Sequence, residues 1–349
     1  MNIAITGSIA TDHLMSFPGR FTEQFVDGHL DRVSLSFLAS SLTVRPGGVG
    51  ANIALGLARL GHSPKLVGAA GRDFAEYRAE LEREGVDTSA VRVSATEYTA
   101  RFICTSDAVQ NQIATFYPGA MSEAAEISLG AVAERTGRFD LVLIGADDPD
   151  AMLRHAEECR THGLPFAADP SQQLARLDGD AIKSLVEGAT YLFTNDYERA
   201  LLGEKTGWSE TEIRDRVAQW VTTRGADGVR IESRGAAPAE VPAVPAGAIA
   251  DPTGVGDGFR AGMLAGLAWD LSLERAAQVG CALATLVLGG AGPQDYRVDK
   301  AGFLADLAGT YGLGSAADVE PHLPTTAATT GGTGDTAAAE AGARGGAAR

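Results

Sequence analysis

Positive charge is in short supply in this sequence. Against 45 Asp and Glu stand only 29 Lys and Arg, a formal net charge of −16, and the basic residues are scattered along the chain. Without a basic patch there is no electrostatic footprint for nucleic acid, and an anionic membrane is an equally poor partner. Cysteine is also scarce. Cys104, Cys159 and Cys281 are widely spaced in apolar segments with no CxxC or zinc-ligand grouping, which excludes a disulfide scaffold and reads as reduced thiols in a cytoplasmic protein. The first residues, MNIAITGSIA, lack a basic leader region, and no apolar run is long enough to cross a bilayer.

What is present is core-forming material: 349 residues, 45% of them hydrophobic, ample for one large domain. Short apolar runs, NIAITGSI, KLVGAAG, LVLIGADD, PFAADPS, YLFTNDYE and GVRIES, alternate with helix-length amphipathic stretches. That alternation predicts an α/β fold with a doubly wound, mostly parallel sheet. Two segments, about 13–46 and 96–118, are rich in β-formers and interrupt the pattern, so a small β-sheet lid is expected from them. From about residue 315 the chain becomes almost only Ala, Gly and Thr, and 315–349 is expected to be a disordered tail behind a domain spanning 1–314.

Three places carry chemistry. In RPGGVGANIALGLARLG, the apolar spacing of Ile53, Leu57 and Leu60 marks a helix, so Gly47 to Asn52 form a glycine-rich turn that a ligand can approach closely. Read by itself, the turn is as well explained as a tight strand-to-helix connection. Asp12 follows the first strand, where ligands gather in open α/β sheets, and with Asn52 it offers the acceptors and donors that adjacent sugar hydroxyls need. The third place is DPTGVGDGFRAG, residues 251–262. Phe259, Met263 and Leu267 set the helix, whose free amides, with those of Gly254, Val255 and Gly256, form an anion cradle. Asp257 in that cradle is either the helix's own cap or a general base facing a hydroxyl nucleophile.

Together, GGVGAN and DPTGVGDGF, with GRDFAEYRAELEREGVDTSAV between them, resemble the signatures of the ribokinase-like (PfkB-type) family of carbohydrate and nucleoside kinases. The likeness runs from Met1 to about Gly312. Within that family TGSIATDHLMSFPGRF, SLSFL, TFYPGAMSEA, ADPSQQLARL and YLFTNDYE are most similar to adenosine kinases of the actinobacterial type. The resemblance implies transfer of the γ-phosphoryl group of ATP to the 5′-hydroxyl of adenosine, giving AMP and ADP. It implies Asp257 as the base, with Ser8, Asp12, Gly48 and Asn52 on the ribose. Phe102 and Phe116 would sandwich the purine, with Gln172, Gln173 and Ser36 at its edge. Asn195 and Glu198 resemble the family's Asn-x-x-Glu element, which orders magnesium through water. Thr223, Gly225 and Gly228 resemble its nucleotide loop, and Arg176 would reach the phosphates. Mg2+ and ATP are the implied cofactor and co-substrate, the monovalent cation K+ is left open, and a homodimer through the lid is expected because its strand edges need covering. The sequence leaves two alternatives: a ribokinase or fructokinase acting on a free sugar, and a nucleoside-binding regulator without turnover.

Overall fold

The first apolar run, Ile3–Thr6, is buried along its whole length. A strand with both faces covered reads as a continuous hydrophobic run because helices pack on either side of it. A computed structural model of the chain describes residues 1–24, 36–247 and 249–325. Its strands are β1 (Ile3–Thr6), β2 (Ala10–Ser16), β3 (Ser41–Gly47), β4 (Lys65–Ala70), β5 (Asp87–Val93), β6 (Ala100–Ser106), β7 (Gln112–Tyr117), β8 (Leu141–Ile144), β9 (Phe166–Ala168), β10 (Tyr191–Asn195), β11 (Gln219–Thr223), β12 (Val229–Ser233) and β13 (Ala239–Val241). Nine of them form one sheet in the order β13-β12-β11-β10-β9-β8-β1-β4-β5. From β5 to β11 every pairing is parallel.

Successive strand residues point to opposite faces, and the two faces carry separate cores. Ile3, Ile5, Leu66, Leu143 and Phe193 pack with the helices Val49–Arg59, Val255–Ala268 and Leu273–Leu288. Ala4, Val67, Val142, Ile144 and Trp220 pack with the helices Pro149–His162, Gly179–Val186 and Asp196–Thr206. The expected doubly wound sheet is therefore present, with one difference at its end. GVRIES is β12, and it runs antiparallel to β11, as β13 does to β12. Only a short turn separates β11 from β12, and a parallel neighbour would need a crossover of a dozen or more residues.

The two β-rich interruptions supply a separate four-stranded sheet, β3-β2-β6-β7. It starts at Ala10, three residues earlier than the sequence pattern placed it. In the register of this sheet Asp12 faces Arg45 on one side and Phe102 on the other, and Phe102 faces Phe116. These residues share one face, which covers the carboxyl ends of the main strands.

The boundary expected at 314/315 falls inside a helix. Leu313–Val319 is helical, with Ser315 and Val319 buried. Beyond it the His322 ring stacks on Trp269 at 5.3 Å, and Leu323 is only 4% exposed. Composition marks the tail from Ser315 onward, yet these few apolar and aromatic side chains suffice to dock the segment as far as residue 325. The rest of that tail, 326–349, lies outside the described residues.

Candidate active site

Parallel strands all end at the same edge of the sheet, and here β1, β8, β9, β10 and β11 deliver Ser8, Ala146, Asp169, Asn195 and Thr223 to it. The chain winds from β1 outward to β4 and β5, then returns to place β8 on the other side of β1. Ligands favour the crevice at such a switch point. A cavity of about 570 Å³ lies there, roofed by the lid.

One wall is the turn into the helix Val49–Arg59. Gly48 has φ 98°, and a β-carbon on it would lie 2.5 Å from the Ser8 carbonyl oxygen, so only glycine lets β1 and this turn meet. The Ser8 hydroxyl accepts the Val49 amide at 3.0 Å. Asn52, on the next turn, is almost fully enclosed. Its Nδ2 donates to Asp257 Oδ2 at 2.8 Å, and its Oδ1 accepts from Gln294 Nε2 at 2.7 Å. Gln294 Nε2 also reaches the Tyr77 hydroxyl, which in turn donates to the Gly47 carbonyl. Asn52 thus holds Asp257 as well as facing the cavity, a role that spacing in the sequence does not reveal.

The adjoining wall is the start of the helix Val255–Ala268, close enough for the Asn52–Asp257 bond. Gly254 sits at its N-cap with φ 77° and no side chain caps the helix. The Asp257 carboxylate is therefore not bound to the helix amides, which removes the capping alternative. Among the described residues the amides of Gly256 and Asp257 make no backbone hydrogen bond, whereas Val255 N lies 3.4 Å from the Pro252 carbonyl oxygen. The cradle is accordingly built on Gly254, Gly256 and Asp257, and Val255 does not line the cavity. Burial pushes the Asp257 carboxyl up to about 7, Asn52 and Arg260 pull against that rise, and Asp169 adds to it.

On the lid side Asp12 faces the same space, its carboxyl pushed up to about 6 by burial and by Asp251, against the pull of Arg45. Arg45 reaches down from β3 to Asp251 at 3.4 Å and to the Ala291 carbonyl. Phe102 and Phe116 lie on the cavity face of the lid. Across from them Ser171, at φ 46°, turns the loop after β9. Gln173, buried, donates to the Asp147 carbonyl at 2.7 Å, while Gln172 is exposed at the mouth.

At the end of β10 Asn195 and Glu198 form a capping box. The Glu198 amide donates to Asn195 Oδ1 and the Asn195 amide to Glu198 Oε2, both at 2.8 Å. Both residues line the cavity, as do Thr223 and Arg176. Gly225 and Gly228 do not. They shape the turn between β11 and β12, where Gly228 has φ 86° and a β-carbon would strike the Val241 carbonyl. The backbone angles of both are what the hairpin turn requires. Ser36 is exposed and also stands outside the cavity, just after 25–35, which lie outside the described residues.

Among the described residues no three His, Cys, Asp or Glu side chains gather as a metal set. Glu198, whose carboxyl burial raises, and Asn195 do place oxygen ligands on the cavity wall. That donor set fits an ion carried by phosphates and held through water, the way Mg2+ prefers to bind. Sequence spacing missed a buried pair behind the cradle, in which Arg260 Nε lies 2.6 Å from Asp169 Oδ2. The clue was an arginine inside an otherwise apolar helix face.

Comparison with known proteins gives one consistent result. Residues 9–300 match the family described as pfkB family carbohydrate kinase. The nucleoside kinase of Methanothermobacter thermautotrophicus is 31% identical over 71% of this chain and 80% of its own length. The ribokinase of Bacillus subtilis is 28% identical over 79% and 88%. The solved structure of Burkholderia thailandensis nucleoside kinase in complex with inosine superimposes with a TM-score of 0.77 at 35% identity, covering 89% of this chain and 98% of that one.

Proposed function

The chain belongs to the pfkB family of carbohydrate kinases, and from that membership we propose that it is an ATP-dependent nucleoside kinase that phosphorylates the 5′-hydroxyl of adenosine. The observation that carries the reading is the surroundings of Asp257: its carboxylate accepts from Asn52, and the residue lines one cavity with Ser8, Asp12 and Gly256, whose amide is left open. A ribose held by Ser8, Asp12 and Asn52 presents its 5′-hydroxyl to a carboxylate that is partly ionised near neutral pH, as a general base must be. The γ-phosphoryl group rests on the amides of Gly256 and Asp257, which favour negative charge and cost no reorganisation.

Proton and phosphoryl group then move in opposite directions. The hydroxyl oxygen attacks phosphorus, the bond to the β-phosphate oxygen breaks, and Asp257 takes the hydroxyl proton. Mg2+ bound to ATP supplies charge neutralisation on the phosphates, and Glu198 and Asn195 are the residues that would orient it through water. Phe102 and Phe116 offer ring faces for the base, and the Gln173 amide, held by Asp147, offers a fixed polar edge.

The substrate panel tests the reading directly. Initial rates with ATP are expected to be highest for adenosine, then inosine and guanosine, with ribose and fructose far slower. A preference for free ribose would support the sugar-kinase alternative, which the 28% identity to a ribokinase keeps in view. Binding of adenosine without any turnover would support the regulator. No helix among the described residues is long and apolar enough to cross a membrane.

The reading extends to a homodimer. The outer face of the lid carries exposed Leu42, Val44 and Ile113, an apolar patch of the kind that a second copy covers. Light scattering is expected to give a dimer, and Val44→Asp to give monomer. A monomeric wild type with full activity would rule this out.

A further inference from the structure

Arg260 has no assigned role so far, yet it is one of the most enclosed charges in the protein, 5% exposed. It sits one turn after Asp257 on the same helix, and its guanidinium folds back beneath the cradle. A β-carbon on Gly256 would lie 2.8 Å from Arg260 Nη1, so the glycine leaves room for the arginine as well as exposing its own amide. Nε pairs with Asp169, itself fully buried at the end of β9. The planar group lies 5.6 Å from the Phe193 ring centre and forms part of the cavity wall beside Glu198.

A buried ion pair contributes little to stability, because desolvating both charges offsets their attraction. Its location therefore calls for another explanation. The charged and titratable groups around Asp257 are Arg260 on its own helix, Asp169 from β9, and Glu198 beyond Arg260. Tyr296 stands near it from the segment after Leu273–Leu288, with Asp12 and the Arg45–Asp251 pair across the cavity. Among the described residues Arg260 is the one cation that acts on Asp257, and it is enclosed on its far side by Asp169.

We infer that Arg260 is a positioning residue for phosphoryl transfer: clamped by Asp169, it fixes a positive charge behind the cradle that keeps Asp257 in its base form and the cradle attractive to phosphate. The inference rests on the reading of Asp257 as the base. Asp169 acts through Arg260, holding the guanidinium in place, and by its own charge it opposes Arg260 at Asp257. The two partners therefore influence Asp257 with opposite sign, the arginine more strongly.

The test is the pH profile of kcat/KM for the nucleoside at saturating ATP, measured on the full chain with melting temperatures alongside. Removing the cation in Arg260→Gln raises the Asp257 carboxyl, so the acidic limb is expected to move upward by about one pH unit. Asp169→Asn removes an anion while keeping the size of the side chain beside Arg260, so the limb is expected to move downward. Should Arg260→Gln fail to fold, Arg260→Lys, whose ammonium keeps the charge but cannot hold it at the same place, decides the question: a smaller upward shift supports the inference and an unmoved limb overturns it. Limbs that coincide with the wild type, or that move the same way in both folded variants, overturn the inference. Asp257→Asn, run in parallel, separates the two claims: near-normal turnover in that variant refutes the base itself, whereas its loss combined with unmoved limbs refutes only the role of Arg260.

Discussion

Asp257 shows how little a single residue's neighbours in sequence say about its task. In the first turn of a helix an aspartate normally satisfies free amides, but here those amides stay open and the carboxylate turns to Asn52, 205 residues away. Asp257→Asn keeps the size and still accepts from Asn52, so the fold should survive while kcat falls by roughly 10² to 10⁴. Nucleoside binding should remain. In the wild type the carboxyl stands near 7 rather than 3.8, the base form dominates above that value, and kcat/KM should fall about tenfold per pH unit below it. Asp147 offers a test of stability instead. Burial lifts its carboxyl to about 8, so the folded state holds a proton that the unfolded chain releases near 3.8. That contribution is complete below pH 3.8 and is lost as pH rises through 8. The melting temperature of Asp147→Asn relative to wild type should therefore climb from pH 4 to pH 8. A difference independent of pH would contradict this.

At the scale of elements, the site depends on parallel strands ending together and on helix starts that follow them. The helix Asp196–Thr206 begins with a reciprocal cap in which Asn195 and Glu198 satisfy each other's amides. The same two side chains line the cavity, so the cap and the proposed magnesium contact share residues. Asn195→Ala should cost about 1 kcal/mol of stability and raise the KM for ATP more than the KM for the nucleoside. Equal changes in both constants would confine Asn195 to capping. The hairpin β11–β12 shows the converse, since Gly225 and Gly228, which resemble a nucleotide loop in sequence, have backbone angles that the turn itself requires.

For the whole molecule, the question is where the folded unit stops. Leu323 is buried, the His322 ring stacks on Trp269, and Lys300 Nζ donates to the Glu320 carbonyl. Removing residues 326–349 should leave the melting temperature and turnover unchanged, because Ala, Gly and Thr offer too little apolar surface to offset ordering. Ending the chain at residue 320 should lower the melting temperature by several degrees, since burial of one leucine alone is worth about 2 kcal/mol. Equal melting temperatures for the two truncations would move the end of the folded unit back to residue 320 or earlier.

The sheet, the two glycine-rich turns and the lid segments were legible in the sequence because each depends on local order: apolar runs at strand spacing, helix-period faces after glycine, and clusters of β-formers. Asp12, the turn from Gly47 to Asn52, Gly254 and Asp257 could be singled out for the same reason, since strand ends and helix starts are where open backbone groups and ligands meet, whereas Ser8 came only from the family resemblance. Tertiary structure alone decided the rest. The bond from Asn52 to Asp257, the Gln294–Tyr77 support behind it, the Arg45 bridge from lid to loop and the Arg260–Asp169 pair all join residues far apart in the chain. No periodicity encodes such partners, because they are chosen by which strand edges the winding of the sheet brings to one crevice. Docking of the segment up to residue 325 was hidden for a related reason: its composition reads as unstructured, and the surface that receives Leu323 exists only once the helices have packed.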